Sequence, residues 1–80
     1  MKVAVKVMPR REVLDTQGRA VGEKLNRAGL TLESCRVGKY IELEIQESER
    51  DKALDKAKEM AEYVLYNPLI ETFEMEVVEP

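Results

Sequence analysis

From Lys2 to Met8 the chain alternates, with Val3, Val5 and Val7 on one side and Lys2, Ala4, Lys6 and Met8 on the other. A period of two marks a half-buried strand, and Pro9, which has no N–H to donate, closes it. Arg10 to Val13 make a short connection. The period then changes, because Leu14, Val21, Leu25 and Ala28 recur on one face of a helix that Asp15 or Thr16 caps and that runs to about Ala28. Gly29 follows as the left-handed C′ residue, with Leu25 and Leu30 at the two positions that close a Schellman motif.

Residues Leu32 to Gln46 allow two readings. Ile41, Leu43 and Ile45 share a face with Cys35 and Val37. A two-residue hairpin at Gly38-Lys39 would set Arg36 against Ile41, so the apolar faces would disagree; a three-residue loop would leave a very short first arm. The favoured reading is one long strand, bent or bulged at Gly38, that projects beyond its own sheet to a partner; the hairpin is the alternative. Ser48 then caps a second helix with acids in its first turn. Its buried stripe is Leu54, Ala57, Ala61, Val64 and Leu65, and Asn67-Pro68 stops it. A last strand from about Glu71 to Val78 buries Phe73, Met75 and Val77 and exposes Thr72, Glu74 and Glu76. The order is β-α-β-α-β, an α+β domain with two helices on one face of a small sheet.

Eighty residues make one small domain, 1–80. A chain near this length buries only about 60% of the surface its unfolded form exposes, and such chains often add a disulfide, a metal or another subunit. With one cysteine, Cys35, and no histidine, an internal disulfide is excluded and zinc would find poor ligands. Self-association or complex formation is the remaining supplement. A net charge of −3 argues against nucleic acid. No stretch approaches the roughly 20 apolar residues of a membrane span, and the N-terminus lacks a signal-peptide core. These features point to the cytoplasm.

Several residues have both a structural and a functional reading. Asp15 and Thr16 read first as caps. Gln17-Gly18 is less expected, since glycine in a first helical turn costs about 1 kcal/mol relative to alanine. Close approach of another backbone accounts for it, as would an anion at the helix N-terminus. Arg19 is an exposed helix charge, and Arg10-Arg11 a solvated loop. Lys39 interrupts the apolar odd-numbered face of residues 35–45, so it either sits at a bulge or meets a partner's carboxylate or a backbone carbonyl. Tyr40 is an edge tyrosine beside the Gly38 bend. Cys35 is a small buried residue without a base to activate it. No pair of carboxylates falls in an apolar setting, so the residues alone define a small α+β subunit without a catalytic constellation.

Three segments carry a resemblance: Leu14-Asp15-Thr16-Gln17-Gly18-Arg19-Ala20-Val21, Val37-Gly38-Lys39-Tyr40-Ile41-Glu42-Leu43, and Val64-Leu65-Tyr66-Asn67-Pro68. In order and spacing they resemble the PurS family, the small subunit of formylglycinamide ribonucleotide amidotransferase, over essentially the whole chain. Departures are modest: Thr16 stands where proline is common, Ala61 where cysteine is frequent, and Tyr66 where a small residue precedes Asn-Pro. The resemblance implies a dimer of ferredoxin-like character with no catalytic groups or cofactor of its own. It also implies two partners, a large synthetase subunit that carries ATP and Mg and a glutaminase subunit that releases ammonia. Asp15, Gln17, Gly18, Arg19, Gly38, Lys39, Tyr40 and Asn67 become the expected subunit contacts. A ligand-sensing dimer of the ACT kind is the rival reading.

Overall fold

The computed structural model describes residues 1–79. It contains β1 (Lys2–Pro9), α1 (Thr16–Arg27), β2 (Lys39–Glu44), α2 (Arg50–Met60) continued by a π-helical turn (Ala61–Leu65), and β3 (Glu71–Glu79). The strands form one antiparallel sheet in the order β2-β1-β3. This is one strand fewer than the β-α-β-β-α-β ferredoxin-like order.

The alternation in β1 does what a period of two requires. Val3, Val5 and Val7 are fully buried and stand beside Leu43, Ile41 and Lys39 of β2 and beside Val77, Met75 and Phe73 of β3. Ala53, Ala57 and Ala61 of the second helix are also fully buried. Their four-residue spacing presents a strip of small side chains, which lets the helix lie close on the valines. Burial of each valine contributes roughly 2 kcal/mol, so this layer holds most of the molecule's stability. Tyr66 and Phe73 close one end of it edge to face, with ring centroids 4.6 Å apart. The other sheet face is uncovered. There Ala4 is buried between Glu42 and Glu76, while Lys6, Tyr40, Glu44, Thr72 and Glu74 are exposed.

Helix α1 stands apart from that core. Gly18 is its one buried residue, and neither apolar cluster contains an α1 side chain. The two-helices-on-one-face arrangement is therefore corrected: α2 alone covers the sheet. The chain measures 48 × 26 × 15 Å with a radius of gyration of 15.6 Å. A compact chain of this length would give about 12 Å. The C-terminus of α1 is as expected. Gly29 has φ +85°, its N–H donates to Asn26 O at 3.0 Å, and Leu30 N–H donates to Leu25 O at 3.0 Å, which is the Schellman pattern.

Three other expectations change. The long strand from Leu32 to Gln46 shortens to Lys39–Glu44: the ladder stops at Val7–Lys39, Val37 N–H is taken by the Asp15 carboxylate, and residues 32–36 lie past the end of β1 at Pro9. The hairpin is absent as well, because β2 pairs with β1 in unbroken register. At α2 the cap position belongs to Glu49, not Ser48, and the Glu47 carboxylate accepts from Ser48 N–H at 3.2 Å. Val64, placed in the buried stripe by a 3.6 period, is 72% exposed. The π turn widens the helix and rotates the stripe by about one residue.

Candidate functional site

The three sequence segments meet at the end of the sheet where β1 finishes. Asp15 ties the first to the second. One carboxylate oxygen accepts Gly18 N–H at 2.8 Å as the cap of α1, and the other accepts Val37 N–H at 2.8 Å from the strandless segment. These two backbone donors, Gly18 first, together with the nearby Arg36 guanidinium, hold the Asp15 carboxyl below its usual value against a smaller desolvation effect.

Glycines permit the approach. A Cβ on Gly18 would lie 2.5 Å from the Cys35 carbonyl oxygen and closer still to Asp15, so the backbone of the strandless segment crosses the first turn of α1 directly. A Cβ on Gly38 would drive into the Val7 carbonyl and the Met8 sulfur. Gly38 thus marks a close crossing over β1 without a bulge in the β1–β2 ladder.

The third segment joins through charge and a turn. Lys39 Nζ lies 3.7 Å from Glu71 Oε2, and Glu71 is the less exposed of the two. The carboxylate expected from a partner is supplied instead by β3 of the same chain. Asn67 organises the turn before β3. Its side-chain oxygen accepts Leu69 N–H at 3.0 Å, its backbone oxygen accepts Glu71 N–H at 2.8 Å, and its own N–H donates to the Glu71 carboxylate at 2.8 Å. Arg10 fastens this turn to β1, through its backbone N–H to Ile70 O at 2.8 Å and its Nε to Pro68 O at 3.0 Å.

Between these elements lies a cleft of about 350 Å³ whose walls include Leu14, Asp15, Gln17, Gly38, Lys39 and Ile70. Four of the eight expected contact residues, Asp15, Gln17, Gly38 and Lys39, line it directly. Gly18 lies buried beneath it, and Asn67 shapes its far wall from outside. Arg19 is not part of it: its guanidinium turns along α1 toward Glu23 at 3.6 Å. Tyr40 lies on the open sheet face, its hydroxyl 3.4 Å from Glu42. Reasoning from sequence missed Glu71 and Arg36. Glu71 opens a strand as an apparent surface acid, and Arg36 takes its place only through the path of residues 32–38; neither carries a local signal.

The junction offers shape, charge and apolar rim. Leu14 is 67% exposed and Leu69 83%, and the adjoining π turn presents Tyr63 at 90%. Large apolar side chains left in water around a cleft mark a surface that meets another protein. The titratable groups here are an aspartate engaged by two amides and a lysine paired with a glutamate, so the junction contains no nucleophile with an adjacent base. Among the described residues no group of three or more His, Cys, Asp or Glu is placed to hold a metal ion, and no helix is long and apolar enough to cross a membrane.

Comparison with known proteins bears on the same segments. Residues 2–79 match the PurS family model, described as phosphoribosylformylglycinamidine (FGAM) synthase. The PurS subunit of phosphoribosylformylglycinamidine synthase from Bacillus subtilis is 44% identical over 98% of this chain and 93% of its own. The crystal structure of the PurS subunit from Thermotoga maritima superposes with a TM-score of 0.88 at 33% identity, covering 94% of this chain and 87% of that one. A chain of the PurLQS structure from Thermotoga maritima superposes at 0.86 with 30% identity, covering 94% and 93%. With the family's three motifs gathered at one junction and its fold matched along the chain, this protein belongs to the PurS family.

Proposed function

We propose that this chain is the small, non-catalytic subunit of a formylglycinamide ribonucleotide amidotransferase, which acts in the fourth step of purine biosynthesis. The observation that carries this reading is the junction: two family motifs line a cleft with an exposed apolar rim, the third is tied to its wall through Asn67 and Glu71, and the groups there are suited to contact rather than proton transfer. The relatives named above are subunits of that synthase, and one of the solved structures is a PurLQS assembly.

The coupled reaction explains why such a subunit would exist. Ammonia freed from glutamine in one active site must reach the synthetase site before it is protonated or lost to solvent. A third chain that fixes the relative placement of the two larger subunits raises the transfer rate without touching the reacting atoms. In this reading the synthetase subunit holds ATP and Mg, the glutaminase subunit holds glutamine, and this chain holds neither. Its partners are those two subunits and a second copy of itself, in the cytoplasm. The elongated shape and the sparsely covered α1 support the second copy, because a chain this small buries little apolar surface by itself.

The test is product formation by the two larger subunits with and without this chain, using glutamine and then ammonium chloride as nitrogen donor. Glutamine-driven turnover is expected to require the chain, and ammonia-driven turnover largely not to. Equal rates with and without it under both donors would overturn the proposal.

A further inference from the structure

Three of the chain's six arginines, Arg10, Arg11 and Arg36, converge on a second cleft of about 330 Å³, between the end of β1 and the start of β3. The chain has 16 acidic and 13 basic residues, so carboxylates are in surplus. Lys6, Arg19, Arg27, Lys39, Lys52 and Lys56 each lie within 4.0 Å of one. Among the described residues none of the three arginines of this cleft does, although Glu12 and Glu74 stand on its walls.

Two of these guanidinium groups are also held in place. Arg10 Nε donates to Pro68 O at 3.0 Å, and Arg36 Nη2 donates to Pro9 O. Each tether uses one donor of a group that has five, which leaves the other N–H groups for an oxyanion. Arg11, beside them, is exposed. Holding a guanidinium through a backbone carbonyl lowers the entropy lost when an oxyanion later binds it, and the planar fork suits a carboxylate.

We infer that this arginine cleft docks an acidic segment, with two or more carboxylates, on the surface of a partner subunit. The inference rests on the proposed function and names one contact within it. A protein surface is favoured over a compact dianion such as phosphate because the charges are spread along mostly exposed walls that include two glutamates. A second copy, whose open sheet face carries Glu42, Glu44, Glu74 and Glu76, is the other occupant, and the sedimentation measurement below decides against or for it.

The experiment measures affinity of the labelled chain for the purified synthetase and glutaminase subunits at about 50 and about 300 mM NaCl, a range over which screening shortens markedly. The variants are Arg11→Glu, Arg11→Lys and, as a control on net charge, Lys58→Glu on α2. Arg11→Glu is expected to weaken binding to one subunit about tenfold at low salt and to flatten its salt dependence, with Arg11→Lys partly restoring it and Lys58→Glu neutral. The exposed position of Arg11 predicts an unchanged melting temperature. Unaltered affinity of Arg11→Glu, where the wild-type chain binds, overturns this inference alone. Failure of the wild-type chain to bind either subunit overturns it together with the proposed function. Tight binding of inorganic phosphate to the isolated chain, or loss of self-association in Arg11→Glu by sedimentation, reassigns the cleft and overturns it as well.

Discussion

The sheet with α2 and the smaller arm formed by α1 with residues 30–38 are two regions held by different forces. In the first, Val3, Val5 and Val7 lie under three buried alanines, and stability comes from apolar area removed from water. In the second, Val21 is 43% exposed, Leu30 63%, and the attachments are one carboxylate, two close glycine crossings and a Schellman turn. The contrast shows how a small subunit divides its work. One region is held by its own apolar core, and the other is positioned by a few polar contacts that leave its apolar side chains exposed.

The largest expected effect lies in the first region. Val5→Ala removes two methyl groups from the centre of the sheet and should destabilise the whole fold by about 2 kcal/mol, lowering the melting temperature by roughly 10 °C. Thermal unfolding followed by circular dichroism checks it. A shift confined to α1 would mean the two regions are not divided as described.

Gly18→Ala should act on the second region alone. Its Cβ meets the Cys35 carbonyl at 2.5 Å, so the crossing segment must shift, at a local cost of about 1–3 kcal/mol. Amide exchange should accelerate at Gly22 and Val37 and stay unchanged at Val5. Equal acceleration in both places would join the regions into one cooperative unit.

The smallest effect is a pH dependence. The folded-state value of Asp15 is depressed, so its ionised form favours the folded arm. That contribution is complete above the usual carboxylate value and is lost as pH falls through the lower folded one. Val37 amide protection should therefore hold between pH 7 and about 5 and decline below about 4. Asp15→Asn should remove that acid step. Glu47, likewise depressed by the amide of Glu49 and then by Lys56, places a comparable step at the start of α2 rather than in the arm.

Much of this was written locally. Alternation in β1 and β3, the Asp15 cap and the Gly29 terminus all depend on neighbours within a few residues, so pattern was enough to place them. The same holds for the expectation that Gly18 answers a close backbone, though the backbone itself, that of Cys35, could not be named. Local pattern failed where distant parts decide. Residues 32–38 have the alternation of a strand, yet β1 ends before it could face 32–36, and Val37 N–H goes to Asp15 instead of the ladder. Val64 obeys a helical period that the π turn interrupts.

The sequence by itself determined the main elements, their order and the family motifs, because these rest on local periodicity, capping chemistry and residue identity. Tertiary structure alone decided that α1 leaves the sheet, that Lys39 meets Glu71, and that three arginines gather at one cleft without an ion pair to the two glutamates on its walls. Each of those depends on which surfaces can be brought together in three dimensions. Contacts between residues far apart in the chain are set by the packing of whole elements, and no short window of residues encodes it.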